Sequence, residues 1–292
     1  MKIALIGHIH QAEKSKYLAE VIKSLRNTSM TITAETNFLD FIKHELDIDA
    51  VDITPFTDGN FEADFCLSIG GDGTFLKAAA LVEGKDIPIL GINTGHLGFL
   101  TEISLNNISE GLNLLYAGKY RIEKRTTIVA QTRNNTPIRD NPYALNEVAI
   151  LKHDNSSLIH IKAKIDDVCL NDYVADGLIV TTPTGSTGYS LSVGGPILAP
   201  TSRTLCLSPV ASHSLNTRPL VLTDDVEIEL NIESRTNNFL LAIDGRSQSL
   251  PSGTPIYIKK APHTIGVVRL EHQNFYDTLR NKMGWGLRQS QE

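Results

Sequence analysis

Residues 63–92 read ADFCLSIGGDGTFLKAAALVEGKDIPILGI, and this stretch decides the fold of the first half of the chain. Apolar runs at 63–69 and 87–92 predict two buried strands, and a helical segment at about 74–82 lies between them. A strand, a glycine-rich turn, a helix and a second strand form a βαβ unit, which requires a parallel sheet with a right-handed crossover. Ligands of such sheets bind beyond the carboxyl ends of the strands, so the two glycine-rich loops after Ile69 and Ile92 are candidate binding loops.

The segments on either side fit the same α/β domain. Residues 2–7, KIALIG, predict a first buried strand, and apolar residues at helical spacing up to about residue 26 predict a helix after it. Residues 106–118 predict a further helix. We therefore expect a first domain over residues 1–119 with a parallel Rossmann-like sheet, able to bind nucleotide phosphates.

After residue 119 the sequence pattern changes to short β-type segments separated by turn signals. Asp244-Gly245 suits the positive φ angles of a tight hairpin turn. The pattern predicts a mainly antiparallel, β-sandwich-like domain over residues 120–263. Residues from about 264 to 292, a strand and then a helix, are expected to return to the first domain. The short β-type segments between turns include 121–131, 158–165, 226–232 and 239–243.

Composition limits the classes of partner. The chain has 292 residues, of which 41% are hydrophobic and 21% charged, an ordinary globular composition. A net charge of −6 without a basic block argues against a nucleic-acid partner. No signal peptide and no apolar run of about 20 residues is present, so we expect a cytoplasmic protein without a membrane partner. The cysteines, which show no metal-ligand spacing and are expected to be buried reduced thiols, are Cys66, Cys169 and Cys206.

The segment Gly70-Gly71-Asp72-Gly73-Thr74 carries the strongest chemical signal. Its glycines are expected to take positive φ and to let an anion approach the amides at the start of the following helix. A carboxylate beside a phosphate site repels the anion, so Asp72 requires a chemical duty, such as accepting a proton from an attacking hydroxyl, or a metal. Lys77, one turn into the helix, would neutralise phosphate charge. The alternative is a structural turn in which Asp72 caps the helix.

A second glycine-rich loop, NTGHLGFL at residues 93–100, follows the strand 87–92. Its two glycines and its asparagine indicate a loop that packs closely against another group. His96 either donates a hydrogen bond to a phosphate or bonds a backbone carbonyl, and for an isolated histidine the structural role is the commoner one.

Asn146-Glu147 interrupts an otherwise apolar strand predicted at 143–151. An amide and a carboxylate in such a strand need partners. Vicinal ribose hydroxyls and an adenine edge are suitable, because glutamate accepts hydrogen bonds and asparagine both donates and accepts. The alternative is an exposed strand face.

Residues 175–192, ADGLIVTTPTGSTGYSLS, combine a buried strand at 178–180 with a turn rich in hydroxyls and glycine. Thr187 and Ser192 offer hydroxyl donors, and Tyr189 offers a ring for stacking. A plain Ser/Thr/Gly loop is the alternative, but such a loop rarely combines a proline, glycines and an adjoining acid such as Asp176.

Four motifs, in chain order GGDGT, NTGHLGF, LNE and DGLIVTTPTGSTGYSLSVGGP, make most of this chain resemble the NAD kinase family. GGDGT alone is shared with lipid kinases of the diacylglycerol and sphingosine type, and phosphofructokinases carry a close variant. The long Thr/Gly/Ser block and NTGHLGF are much more specific.

The resemblance implies transfer of the γ-phosphoryl group of ATP to the adenosine 2′-hydroxyl of NAD, giving NADP, with Asp72 as proton acceptor. It also implies a divalent cation, expected to be Mg²⁺ with ligands not identified, and a homo-oligomer (dimer or tetramer) whose NAD sites a neighbouring subunit completes. The implied ATP phosphate contacts are Gly70, Gly71, Gly73, Thr74 and His96. The implied NAD contacts are Asp72, Gly73, Lys77, Asn146, Glu147, Ser157, Val174, Asp176, Thr187, Gly188, Tyr189, Ser190, Leu191, Ser192 and Arg246.

Three positions depart from the family pattern. Relatives often have alanine at the position of Gly188, glutamine where Arg246 aligns, and a basic residue where Val174 stands, so Val174 offers only backbone or apolar contact. Two other functions are compatible with part of these motifs. A lipid kinase would need an amphipathic basic segment for membrane docking, which the sequence lacks. A non-catalytic NAD(P)-binding regulator would gain nothing from Asp72 beside phosphates.

Overall fold

A computed structural model describes residues 1–7, 15–28, 30–95, 98–133, 136–138, 141–154, 158–271 and 274–284. The chain forms two compact units. The first unit comprises Met1–Lys124 and Ile265–Glu292, and the second comprises Arg125–Thr264. Each unit has its own cluster of buried apolar side chains.

The first unit contains a parallel sheet whose strands lie in the order β5-β4-β1-β2-β3. All six residues of β4 are buried, as expected for a parallel strand covered on both faces. The strands are β1 (Lys2–Gly7), β2 (Thr31–Glu35), β3 (Thr54–Phe56), β4 (Phe65–Gly70) and β5 (Ile89–Asn93). The helices are α1 (Ser15–Asn27), α2 (Thr36–His44), α3 (Asp72–Leu81) and α4 (Ile108–Tyr116), with a 3₁₀ turn at Leu105–Asn107.

The second unit contains two antiparallel sheets. One has six strands in the order β13-β12-β11-β8-β15-β16. In the other, neighbouring strands follow the order β10-β9-β14-β17. Apolar side chains of both sheets form one core, which is the sandwich-like arrangement that the sequence predicts. The elements of this part of the chain are β6 (Tyr120–Gln131), β7 (Tyr143–Ala144), β8 (Glu147–Lys152), β9 (Ile159–Ile165), β10 (Val168–Ala175), β11 (Gly177–Thr181), a 3₁₀ turn at Gly185–Thr187, α5 (Tyr189–Ser192), β12 (Thr204–Val210), β13 (Leu220–Thr223), β14 (Ile228–Glu233), β15 (Asn238–Ile243), β16 (Arg246–Pro251) and β17 (Ile256–Leu270).

Strand β17 starts in the second unit and ends in the first. There Val267 pairs with Ile89 of β5 in parallel. Helix α6 (Phe275–Met283) follows, with Asn274 as its N-cap: the side chain of Asn274 accepts a hydrogen bond from the amide of Asp277. The fold class, a parallel α/β part and a mainly antiparallel β part, is confirmed.

Two local predictions have different outcomes. The Asp244-Gly245 hairpin turn is confirmed, because both residues have positive φ (46° and 80°) and join β15 to β16. The prediction that all three cysteines are buried is wrong for Cys169, which is exposed on β10, an outer strand of its sheet. Among the residues that the structure describes, no helix is both long and apolar enough to cross a bilayer.

Candidate active site

Asp72 lies where β4 gives way to α3, and its carboxylate is oriented by the neighbouring loop. The amide of Phe99 donates to Asp72 Oδ2 at 3.0 Å, and the amide of Leu100 donates to Oδ1 at 3.1 Å. Gly71, not Asp72, is the N-cap of α3. The Asp72 side chain keeps 36% of its surface exposed, so a substrate hydroxyl can reach it. The helix-cap alternative is therefore not what the geometry shows.

Gly98 is the residue that lets this loop close on Asp72. A β-carbon at position 98 would lie 2.0 Å from Asp72 Oδ1 and 2.8 Å from Thr101 Oγ1. The amide of Gly98 also donates to Thr101 Oγ1 at 3.1 Å. Any larger residue would push the carboxylate or the loop away. His96, which belongs to the same loop in sequence, lies outside the described residues.

The three glycines around Asp72 do not have the positive φ that was predicted for them, although two of them leave the backbone open. None of Gly70, Gly71 and Gly73 has positive φ, because α3 begins immediately and its N-cap is extended. Gly70 is instead required for packing, since a β-carbon there would lie 2.2 Å from Thr74 Oγ1. At Gly71 and Gly73 a β-carbon would meet no described atom within 4 Å. The backbone at the start of α3 is thus bare and accessible, as an anion approaching helix amides requires.

Two lysines of the first unit, Lys77 and Lys282, each lie close to a carboxylate. Lys77 Nζ lies 2.6 Å from Glu35 Oε2, so its charge is already paired with a carboxylate at the end of β2. Lys282 of α6 was not predicted, and its Nζ lies 3.7 Å from Asp72 Oδ2. Burial lowers the pKa of Lys282, and the neighbouring Asp72 opposes that shift. No local spacing in the sequence links Lys282 to Asp72.

In the second unit, the strand predicted at 143–151 is broken at Leu145 and Asn146, and this prediction is corrected. The cause is the carboxylate of Asp244 in the β15–β16 turn. It accepts hydrogen bonds from the amides of Leu145 (2.7 Å), Asn146 (2.8 Å) and Glu147 (3.0 Å). These amides therefore bond to a side chain, and the chain bends between β7 and β8. Burial raises the pKa of Asp244, and the three hydrogen bonds oppose that effect.

The bend presents two buried side-chain oxygens that lack partners. Asn146 Oδ1 and Glu147 Oε2 have no hydrogen-bond partner among the described residues. Burial, reinforced by the charge of Asp244, raises the pKa of Glu147 to about 7. Buried polar groups are nearly always satisfied, so a pair of unsatisfied oxygens indicates a place where a bound molecule completes the hydrogen bonds. The exposed-face alternative for Asn146-Glu147 does not fit this burial.

The Thr/Gly/Ser turn is built around the same bend. Thr181 Oγ1 and Thr182 Oγ1 donate to the carbonyls of Asn146 (3.0 Å) and Leu145 (2.5 Å). A β-carbon at Gly185 would lie 2.3 Å from the Asn146 carbonyl oxygen. A β-carbon at Gly188 would lie 3.4 Å from Glu147 Oε2 and 3.5 Å from Asn146 Nδ2. Gly188 is therefore adjacent to both side chains, and alanine would fit there after a small adjustment.

The other predicted residues of this turn differ in accessibility. Tyr189 is 38% exposed, and Ser192 is exposed with its hydroxyl donating to the Tyr189 carbonyl. Thr187 and Leu191 are partly buried. Ser190 is fully buried, and its hydroxyl lies 2.9 Å from that of Ser208. The side chain of Ser190 is therefore occupied internally.

The remaining predicted contacts lie on other strands. Asp176 Oδ1 lies 2.7 Å from Lys152 Nζ, an ion pair that the sequence did not suggest. Val174 pairs with His160 across β9 and β10. Arg246 donates to the carbonyls of Ile243 (3.1 Å) and Tyr143 (2.9 Å), so it fixes the hairpin. Ser157 lies outside the described residues.

The described acidic residues of neither unit form a metal centre of their own. Within the described ranges, no group of three or more His, Cys, Asp or Glu side chains is placed to hold a metal ion. Within the first unit an oriented carboxylate lies beside a bare helix start. Within the second unit two buried acceptor oxygens have no hydrogen-bond partner among the described residues.

Comparisons with known proteins find related sequences along nearly the whole chain. Residues 3–120 match a family model for the ATP-NAD kinase N-terminal domain, and residues 145–270 match one for the ATP-NAD kinase C-terminal domain. An NAD kinase of Bacteroides fragilis (strain YCH46) is 48% identical over 286 residues, covering 98% of each chain. An NAD kinase of Porphyromonas gingivalis (strain ATCC BAA-308 / W83) is 42% identical over 291 residues, again covering 98% of each.

Two solved structures share the fold. Yeast NADH kinase complexed with NADH superposes with a TM-score of 0.88 at 22% identity, covering 99% of this chain and 89% of that one. An NAD kinase from Archaeoglobus fulgidus in complex with ATP gives a TM-score of 0.75 at 24% identity, covering 97% and 99%.

Proposed function

This chain belongs to the ATP-NAD kinase family, and we propose that Asp72 is the base of its phosphoryl transfer. The protein is an ATP-dependent kinase that phosphorylates NAD to NADP. A lipid kinase that shares only GGDGT would not match both family domains along the chain. The observation that carries the role of Asp72 is a carboxylate fixed by two amides and still open to a ligand.

In the proposed step, the 2′-hydroxyl oxygen of NAD attacks the γ-phosphorus of ATP. The bond from that phosphorus to the β–γ bridging oxygen breaks, and ADP leaves. The hydroxyl proton passes to Asp72, which later releases it to solvent. The two amides from Phe99 and Leu100 keep the carboxylate aimed without consuming all of its acceptor capacity, since two oxygens offer about four acceptor sites. The ATP phosphates are proposed to bind at the amides of the α3 start, where the helix dipole favours negative charge.

NAD is proposed to complete the hydrogen bonds of the second unit. Asn146 Oδ1 and Glu147 Oε2 would accept from ribose hydroxyls or the adenine amino group, because both atoms are buried without partners among the described residues. Gly188 lies beside both side chains. Tyr189 is proposed to stack on NAD with its exposed ring, and Ser190, whose hydroxyl is occupied by Ser208, would contact NAD through its backbone. The other contacts implied by the family resemblance stay proposals: Gly73, Lys77, Ser157, Val174, Asp176, Thr187, Leu191, Ser192 and Arg246 for NAD, and Gly70, Gly71, Thr74 and His96 for ATP.

A divalent cation, Mg²⁺, is proposed to enter with ATP. Mg²⁺ is usually bound by substrate phosphates with one or two carboxylates, which suits a chain whose described residues offer no cluster of three ligands. When bound, it would offset the charge of the phosphates. We also propose that the protein forms a homo-oligomer, a dimer or a tetramer, and lies in the cytoplasm, where the three free thiols would stay reduced.

Replacing Asp72 by asparagine tests the catalytic role. The variant keeps the size of the side chain but cannot take a proton, so kcat should fall about 10²–10⁴-fold, the usual contribution of a general base. NAD affinity should stay near the wild-type value. NADP formation is followed with an NADP-specific dehydrogenase, and NAD binding by calorimetry.

The matched control for Asp72→Asn is Asp86→Asn, a change at an exposed position in the loop after α3. It should leave turnover unaltered. Unchanged turnover in Asp72→Asn itself would remove Asp72 from the catalytic role, whereas failure of the wild-type protein to make NADP would refute the kinase activity.

A further inference from the structure

Helix α6 places the ammonium group of Lys282 beside the carboxylate of Asp72. Lys282 Nζ lies 3.7 Å from Asp72 Oδ2, the same oxygen that accepts from the Phe99 amide. It also lies 4.3 Å from the centre of the Phe99 ring. The Lys282 side chain is only 19% exposed, although α6 has no fully buried residue. The amino group is thus held between a carboxylate and the face of an aromatic ring.

Both neighbours attract a positive charge. The Asp72 carboxylate does so directly, and the Phe99 ring does so through its negative face. Phe99 links the two, because its amide orients Asp72 and its ring contacts Lys282. Burial alone would favour the neutral amine and lowers the pKa of Lys282, while Asp72 opposes that shift. At 3.7 Å the ammonium also keeps donors to spare, since it has three.

We propose that Lys282 is a positioning residue of the phosphoryl transfer, whose ammonium holds the Asp72 carboxylate in place and offsets its charge where the ATP phosphates bind. The inference rests on the proposed role of Asp72. Without a nearby cation, a carboxylate beside a polyphosphate would be repelled and would turn away from the attacking hydroxyl. Lys77 does not serve this purpose in the structure, because its ammonium is paired with Glu35 at 2.6 Å.

A purely structural role for Lys282 makes different predictions. The aliphatic stem alone would then matter, and a residue of similar length without charge would preserve activity. Lys282→Met keeps an unbranched apolar stem and removes the charge, whereas Lys282→Arg keeps the charge. Arg280→Ala, on the same helix, removes a cation that pairs with the exposed Asp277 and serves as the matched control.

The experiment measures kcat and KM for NAD and for ATP in these three variants, together with their melting temperatures. For Lys282→Met we expect kcat to fall about tenfold or more, as for loss of one close charge interaction, and KM for NAD to change less than about threefold. Lys282→Arg should recover most of the lost kcat. Arg280→Ala should behave like the wild-type protein.

Chemical rescue supplies a readout that packing cannot mimic. In Lys282→Ala, ethylammonium ions should restore part of kcat, while sodium ions at equal ionic strength should not. Wild-type kcat in Lys282→Met, or equal responses of Lys282→Ala to both cations, would overturn the proposal. If instead Asp72→Asn retains full turnover, the role of Asp72 fails first, so the two failures are distinguishable. Should Lys282→Met not fold, Lys282→Arg and the amine rescue of Lys282→Ala still decide the question.

Discussion

At the scale of single residues, burial controls the charge of Glu147 and should make NAD binding depend on pH. The pKa of Glu147 is raised to about 7 by burial and by Asp244. The carboxylate accepts hydrogen bonds at both oxygens, whereas protonation turns one of them into a donor and removes the negative charge, so NAD hydroxyls should stabilise the carboxylate form. We therefore expect the dissociation constant for NAD to fall by up to about tenfold between pH 6 and pH 8, because each pH unit below the pKa costs about tenfold. Calorimetric titrations at several pH values measure this.

Glu147→Gln is the control for that pH dependence, and its stability provides an independent check. The variant cannot titrate, so its NAD affinity should be flat over the same pH range. Because the folded pKa of Glu147 is raised, the stability that the group contributes is present below its unfolded pKa of 4.5 and is lost as pH rises through about 7. Glu147→Gln should therefore be more stable than wild type above pH 7 and similar to it below pH 4.5. An equal pH dependence of NAD affinity in both proteins would contradict the assignment.

Single residues were predictable from sequence where their chemistry conflicts with their immediate neighbours. Asp72 among glycines and Asn146-Glu147 within an apolar strand are examples, and the structure gives each an unusual environment. Lys282 carries no such local conflict, because the groups that it contacts, Asp72 and the Phe99 ring, lie far away in the sequence. The positive φ predicted for the glycines was wrong, since a helix that starts directly after the strand needs none.

At the scale of elements, one turn controls the course of another strand. The Asp244 carboxylate replaces backbone partners for three consecutive amides and so creates the bend that presents Asn146 and Glu147. Asp244→Asn keeps the turn conformation, because asparagine tolerates positive φ, but it weakens these hydrogen bonds. Hydrogen bonds to a charged group contribute about 1.5–3 kcal/mol each and are not additive, so we expect a loss of about 3 kcal/mol in the free energy of unfolding.

The same substitution should also weaken NAD binding, because the bend would no longer be fixed. Denaturant unfolding and calorimetry measure the two effects. Asp167→Asn is the matched control, since Asp167 is an exposed aspartate with positive φ in the β9–β10 turn. It should change neither quantity appreciably. Equal stability of Asp244→Asn and Asp167→Asn would show that the turn, not the carboxylate, sets the bend.

Elements were predictable when their signal is contained within the segment. Residues 2–7, the α3 region and the Asp244-Gly245 turn have strong local periodicity or turn chemistry, and they were predicted correctly. Residues 28–62 received no prediction, yet they form β2, α2 and β3, whose short lengths give little periodicity. The break after β7 was missed because its cause lies in a turn about a hundred residues later in the chain.

At the scale of the whole molecule, the sequence predicted the two fold classes because each half repeats its pattern many times. Parallel strands alternate with helices in the first half, and short antiparallel strands follow one another in the second. How the end of β17 is held in the first unit was not predictable, because it depends on a buried ion pair. Arg269 Nη1 lies 2.5 Å from Glu102 Oε2, and the amide of Leu270 donates to Glu102 Oε1 at 2.9 Å. Both side chains are almost fully buried.

Glu102→Gln tests how much this ion pair contributes to the first unit. Removing one partner of a buried pair leaves an uncompensated charge and typically costs 3–5 kcal/mol. Glu123 also lies 3.5 Å from Arg269 and would remain, so we expect a loss of about 3 kcal/mol in unfolding free energy.

Hydrogen exchange in Glu102→Gln should quicken at the amides of Leu270 and Ile103 but not at those of Leu178 and Leu207, because the latter pair belongs to a separate core. The control is Glu233→Gln, which breaks the exposed pair with Lys162 and should alter neither stability nor exchange noticeably. Uniform loss of protection in both units would contradict the view that the pair stabilises the first unit alone.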